Sequence, residues 1–198
     1  MHHRLTYSAR VPAAMLFMAV LLLPTFSTAQ APAPATYDIE LVIFRNLGGG
    51  STSEQWSMNE PVSESSADAE APDPSAAEAP FPKLPAERLK LNAIYDQLKR
   101  SRAYQPLAHL GWTQPATDRA SAHYVSLNAL GLDNGVSGRA ALARGRYLHL
   151  TLDLALQIPG DGTRYVLKQT RRMRSTEMHY IDHPRFGVVA LITPTASG

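Results

Sequence analysis

The 198-residue chain contains no cysteine. Without thiols no disulfide can staple the fold and no N-terminal cysteine can carry a lipid, so stability rests on the hydrophobic core alone. The thiolate nucleophile is excluded with it, and no G-x-S-x-G elbow takes its place. No glycine-rich loop stands before a helix to cradle a phosphate. The apolar run from Val11 to Leu23 falls short of the roughly 20 residues that a membrane-spanning helix needs. Lys and Arg are missing between Ser51 and Pro82, a stretch that holds seven acids, Glu54, Glu60, Glu64, Asp68, Glu70, Asp73 and Glu78.

What is present is organised around RYLHLTLDLALQI, Arg146 to Ile158. Leu148, Leu150, Leu152, Leu154, Leu156 and Ile158 share one parity, and Tyr147, His149, Thr151, Asp153 and Gln157 share the other. A period of two is that of a strand with one aliphatic and one polar face. The glycines of Pro159-Gly160-Asp161-Gly162-Thr163 suit a turn, after which Arg164 to Ile181 reads as a second extended run, giving a hairpin. Pairing Ile158 with Tyr165 sets Leu156 opposite Leu167 and Leu150 opposite Met173. The polar face then collects Asp153, His149, Lys168, Arg172 and Arg174, while Arg171 falls on the leucine side.

Elsewhere, YDIELVIFRN (Tyr37 to Asn46) reads as a first strand, its second half apolar on both parities as in a central strand. Pro85 to Arg102 is the clear helix, with Leu91, Ile94, Tyr95 and Leu98 forming a stripe to lay on a sheet. Tyr104 to Gln114 is extended, since Pro106 and Pro115 forbid a helix, Ser121 to Leu127 and Gly138 to Arg144 add short segments, the latter running on into the leucine strand, and Gly187 to Thr193 is an interior strand. Ser63 to Pro82 is Ala/Pro/Ser/Glu low complexity, so the insert Ser51 to Pro82 is expected to be disordered. The fold class expected is a single α+β domain over residues 37–198, with a mostly antiparallel sheet of about four or five strands, one main helix packed on it and the acidic insertion.

Residues 1–29 have the parts of a secretory signal: Arg4 and Arg10, the apolar core, and small residues Ser27-Thr28-Ala29 before the cut. A Pro/Ala leader, residues 30–36, follows. No stable membrane span is then expected after cleavage. Losing Arg4 and Arg10 leaves 17 of the 19 basic residues against 17 acidic ones. The neutral balance hides an acidic tether beside a domain, Lys83 to Gly198, that holds 16 basic and 8 acidic residues. Such asymmetry marks an anionic partner, or a tether kept solvated.

The blocks YDIELVIF (37–44), Trp56, LAHLGWTQP (107–115), RYLHL (146–150) and RMRSTEMHYIDHP (172–184) resemble, in order along the chain, the CsiV family. The resemblance implies a non-catalytic periplasmic protein of Gram-negative bacteria that binds peptidoglycan and supports cell-wall assembly and cell shape. Its implied partner is an outer-membrane lipoprotein that activates a class A penicillin-binding protein. It brings no catalytic residues and no cofactor.

The residues themselves offer two routes to such a polymer. Sugar faces stack on aromatic rings, for which Trp112 and Tyr180 are the candidates. Stem-peptide carboxylates fit arginine forks, for which Arg171, Arg172 and Arg174 are the candidates. Against this, a lone tryptophan among Leu, Gly and Pro is usual in a core, and arginines on a strand also guard a solvated edge. Glu177, His179, Asp182 and His183, with His109 or His149, are metal-ligand types, but their spacing is no zinc signature. A nucleic-acid partner is disfavoured by the signal and the neutral mature charge. An envelope adaptor that binds protein rather than glycan is the alternative.

Overall fold

The computed structural model describes residues 33–48, 71–160 and 162–195. The expected signal, residues 1–29, and most of the acidic insert, residues 51–70 of 51–82, lie outside the described residues. Eight strands are described: β1 (Thr36–Asn46), β2 (Tyr104–Pro115), β3 (Tyr124–Ser126), β4 (Val136–Arg144), β5 (Leu148–Gln157), β6 (Arg164–Met173), β7 (Met178–His183) and β8 (Phe186–Pro194). They form two four-stranded sheets, ordered β2-β1-β8-β7 and β3-β4-β5-β6, in which every pair is antiparallel. This corrects the expectation of one sheet. The run from Arg164 to Ile181 does not stay in one strand: Thr176 takes φ 66° in a turn, and the chain leaves β6 for the edge of the other sheet.

The two sheets face each other through their apolar sides. Leu150, Leu152, Leu154 and Leu156 of β5 share one cluster with Ile39, Leu41 and Ile43 of β1 and Phe186, Val188, Ala190 and Ile192 of β8. Each fully buried aliphatic side chain contributes about 1.5–3 kcal/mol, an upper estimate set against an extended unfolded chain. β4 does not run into β5 as expected; a turn at 145–147 folds it back, with Arg144 paired to Leu148.

The β5–β6 hairpin forms, but two residues out of the expected register, with Leu156 opposite Tyr165, Leu154 opposite Leu167 and Leu148 opposite Met173. Gly160 and Gly162, at φ 81° and 69°, belong to a longer loop closed by Gln157 and Arg164. A slip of two preserves parity, so every side chain keeps the face read from the sequence.

A short helix, α1 (Asn92–Arg100), covers the other face of β1 and β8. Leu91, Ile94, Tyr95 and Leu98 pack on Val42, Val189 and Leu191, the stripe read from the sequence. The helix is half the expected length, because Ala86–Arg88 is a single 3-10 turn and Leu89 is extended. Glu40 fixes the helix start. Its buried carboxylate accepts from the backbone N–H of Lys90 and of Leu91, both at 2.8 Å, and from His109 Nε2 at 2.6 Å. Burial opposes its charge, yet these three donors outweigh that and hold its pKa below the ordinary value.

The insert expected to be disordered to Pro82 is placed from Ala71 onward. Residues 71–84 form a strap along the edges of both sheets. Ala79 N–H donates to Tyr124 O and Tyr124 N–H to Ala77 O; farther on, Thr113 N–H donates to Pro82 O and Leu84 N–H to Gly111 O. Low complexity gave no period, but Pro72 is buried and Phe81 packs on the core. Among the described residues no helix is long and apolar enough to cross a membrane.

Candidate functional site

The outer face of the β3-β4-β5-β6 sheet carries three cross-strand rows. Arg139, Asp153 and Lys168 form one; Ala141, Thr151 and Thr170 the next; Ala143, His149 and Arg172 the third. Strand alternation produces this: the leucines fill the inner face, so their neighbours must point out. The described part of this face is cationic, since Asp153 pairs with Arg139 at 3.4 Å and leaves Lys168 and Arg172 in excess.

The strap turns the face into a groove. Arg119 Nε donates to Ala71 O, and Arg139 Nη2 donates to Pro74 O at 2.9 Å. Between strap and sheet lies a groove of about 230 Å³. Ala71, Pro72 and Pro74 form its apolar wall, and Lys168 and Arg119 bring positive charge to its lining. Its floor holds the hydroxyls of Thr151 and Thr170, 3.0 Å apart and buried. Tyr124 closes one side, the Arg139 guanidinium stacked 4.2 Å from its ring centre. Burial raises the Tyr124 pKa, with Arg139 opposing and Asp153 adding to the rise, so its hydroxyl stays protonated. On the other side of Arg139 a second cleft of about 240 Å³ is lined by Glu78, Asn128, Asp153 and Arg164, among others.

Arg172 lies two residues beyond Thr170 on the same face. Its guanidinium carbon sits 3.5 Å from the centre of the Tyr147 ring, which is 38% exposed. Stacking on the ring fixes the guanidinium plane and leaves its N–H edge for a planar anion.

The five residues singled out in the sequence are not brought together. Trp112 is corrected outright as a sugar-stacking residue: it is 0% exposed in the inter-sheet core, and its Nε1–H donates to Gln114 Oε1 at 2.7 Å. No face of its ring is left for a ligand. Arg172 is on the outer face as read. Arg171 is exposed but opposite Leu150, on the inner parity. Arg174 lies past the end of β6 and pairs with Glu177 at 3.7 Å. Tyr180 is on the other sheet, its hydroxyl donating to Asp182 Oδ1 at 2.7 Å. Burial, that hydrogen bond and the Asp182 charge together push its pKa well up.

The metal-ligand types do not converge either. His179 Nε2 accepts from Arg174 N–H and His183 Nδ1 from Arg185 N–H, at 3.1 and 3.2 Å. Burial lowers the His183 pKa; Asp182 opposes this and Arg185 adds to it. Among the described residues no group of three or more His, Asp or Glu is placed to hold a metal ion.

Sequence reasoning missed Tyr147, Arg139, Arg119 and the strap as parts of this face. Tyr147 was within reach, since it shares the parity of His149. Arg119 was not, because its place depends on a loop contact with Ala71.

The family model described as "Peptidoglycan-binding protein, CsiV" matches residues 15–195. No curated protein and no solved structure matches the chain.

Proposed function

The chain belongs to the CsiV family of peptidoglycan-binding proteins, and from that premise we propose that it holds the wall polymer on the outer face of the β3-β4-β5-β6 sheet. The observation that carries the reading is a groove with an apolar wall lined by Lys168 and Arg119, with the Tyr147-stacked Arg172 two residues beyond its Thr170 floor on the same sheet face. Stem peptides offer carboxylates for the cations and short aliphatic side chains for Ala71, Pro72 and Pro74. The threonine hydroxyls of the floor add partners for peptide amides. Of the arginines read from the sequence, Arg172 takes the principal role; Arg171 and Arg174 add long-range attraction from the β6 edge.

A peptidoglycan-binding family works in the cell envelope. Within it we assign the periplasm, with residues 1–29 as a signal removed after Ala29. The protein acts there by binding and not by catalysis, in support of wall assembly alongside an outer-membrane lipoprotein activator of a class A penicillin-binding protein. Mature protein starting at Gln30 is expected to sediment with isolated sacculi in the absence of any other protein. Retention in the supernatant at every concentration overturns the reading and leaves an adaptor that reaches the wall only through a protein partner.

A further inference from the structure

Tyr180 belongs to a second surface, on the opposite side of the molecule from the cationic groove. On the outer face of the β2-β1-β8-β7 sheet, Phe44, Gly187 and Asp182 form one cross-strand row. The Tyr180 ring lies down along β7 towards this row, its hydroxyl bonded to Asp182 two residues on. It lies nearly parallel to the Phe44 ring, at 12° with centres 6.1 Å apart, and Tyr104 meets Phe44 edge-on at 5.2 Å.

Gly187 makes the arrangement possible. A Cβ there would come within 2.7 Å of Phe44 Cζ and 2.9 Å of Tyr180 Cε2, so any side chain would lift the rings off the sheet. Phe44 is 4% exposed and forms the base; Tyr104 and Tyr180 are 40% and 48% exposed. The Tyr180 ring is thus seated over Gly187 and tied to Asp182 before any ligand arrives, which lowers the ordering cost of binding.

We propose that this cluster is a glycan site, stacking the face of the Tyr180 ring on the amino-sugar rings of a polysaccharide strand, with the Tyr104 ring turned nearly perpendicular to it. The identity of the polymer rests on the peptidoglycan reading above; the sugar chemistry rests on the surface itself. A flat aromatic face matches the C–H face of a pyranose, whereas an amphipathic helix needs a groove to receive it. The polar group at the rim is the Asp182 carboxylate, which accepts from sugar hydroxyls and amide N–H groups and repels stem-peptide carboxylates. The face therefore selects sugar over peptide, and the cationic groove selects the reverse. α1 bounds the platform on the side of Val42 and Leu191, while β7 is a sheet edge across which a strand can continue. Because the two sheets bury their inner faces against each other, one sugar unit cannot touch both sites. A polymer can occupy both, on one molecule, and is held at two points.

The probe is a tetramer of β-1,4-linked N-acetylglucosamine, titrated into the full mature chain. Tyr180→Ala should weaken its binding at least fivefold with little change in melting temperature, and Tyr180→Phe, which keeps the ring, should restore most of it. Lys168→Gln should leave it unchanged. In the parent protein the Tyr180 ring resonances should shift on titration. Ring resonances that stay in place, or equal affinity of the Tyr180→Ala variant, overturn the proposal even when sacculi bind. Tetramer binding without sacculus binding keeps the platform and overturns the peptidoglycan reading instead.

Discussion

Glu40 joins two layers of the fold through one carboxylate. It stands on the helix-covered face of β1, accepts from the N–H groups that precede α1 and from His109, and is 3% exposed. Hydrogen bonds to a charged group are worth about 1.5–3 kcal/mol, and the buried donors would be left short without it. Glu40→Gln should therefore destabilise the protein by roughly 2–3 kcal/mol at pH 7, measured by urea denaturation. The folded pKa lies below the ordinary 4.5, so the charge contributes its stability in full above 4.5 and loses it as pH falls through the folded value. The gap between parent and variant should close below pH 4.5; a gap constant down to pH 3 would mean that the carboxylate charge is not what the helix start uses.

Trp112 and Arg172 mark the extremes of legibility at this scale. Parity alone put Arg172 on the outer face, because a strand with leucines on one side leaves no other place for it. Trp112 has only a compositional guide: a lone tryptophan among Leu, Gly and Pro is usual in a core, but no period fixes its face, and the opposing sheet decides. It should respond as a core residue. Trp112→Phe should cost about 1–3 kcal/mol, since Gln114, 1% exposed, loses its donor, and should leave sacculus binding unchanged once folded. Lost binding in a folded variant would return Trp112 to the site.

Among the elements, the strands were readable and the strap was not. Strands announce themselves by period, and β1, β2, β5 and β8 fall within a residue or two of where the pattern puts them. The strap is held instead by backbone bonds to two sheet edges and by a few prolines, which leave no period in a sequence rich in Ala, Pro, Ser and Glu. It has a consequence for stability. Replacing residues 71–79 with a Gly/Ser link too short to follow the sheet edge removes the backbone bonds to Tyr124 and to Arg139 and uncovers the groove floor. About 2 kcal/mol should be lost, a fall in melting temperature of roughly 4–8 °C. An unchanged melting temperature would show the strap to be loosely attached. α1 was readable as a stripe but not in length, since what stops it at Leu91 is a carboxylate from β1, 51 positions away in sequence.

For the whole molecule, the antiparallel character was legible and the count of sheets was not. Nothing in Arg174-Ser175-Thr176-Glu177 announces a crossover; no glycine or proline marks it, and Thr176 takes the positive φ itself. Closing a sandwich gives the chain two outer faces of different chemistry, one cationic and strapped, one aromatic with a carboxylate at its rim. Attraction between the cationic face and an anionic polymer is screened beyond about 8–10 Å at physiological salt. Sacculus binding should therefore weaken steadily as sodium chloride is raised from 50 to 500 mM (about 0.05–0.5 M, Debye lengths of roughly 14 to 4 Å), whereas binding of the neutral sugar tetramer should hold.

The most direct test is co-sedimentation of Lys168→Gln/Arg172→Gln with isolated sacculi. Both side chains are exposed, so the variant should fold like the parent, exposed charges being worth no more than about 1 kcal/mol to stability. If they grip stem-peptide carboxylates, each contact worth about 1.5–3 kcal/mol, the variant should bind at least tenfold more weakly. A folded double variant that pellets with sacculi as the parent does would contradict the assignment of this face to the wall polymer.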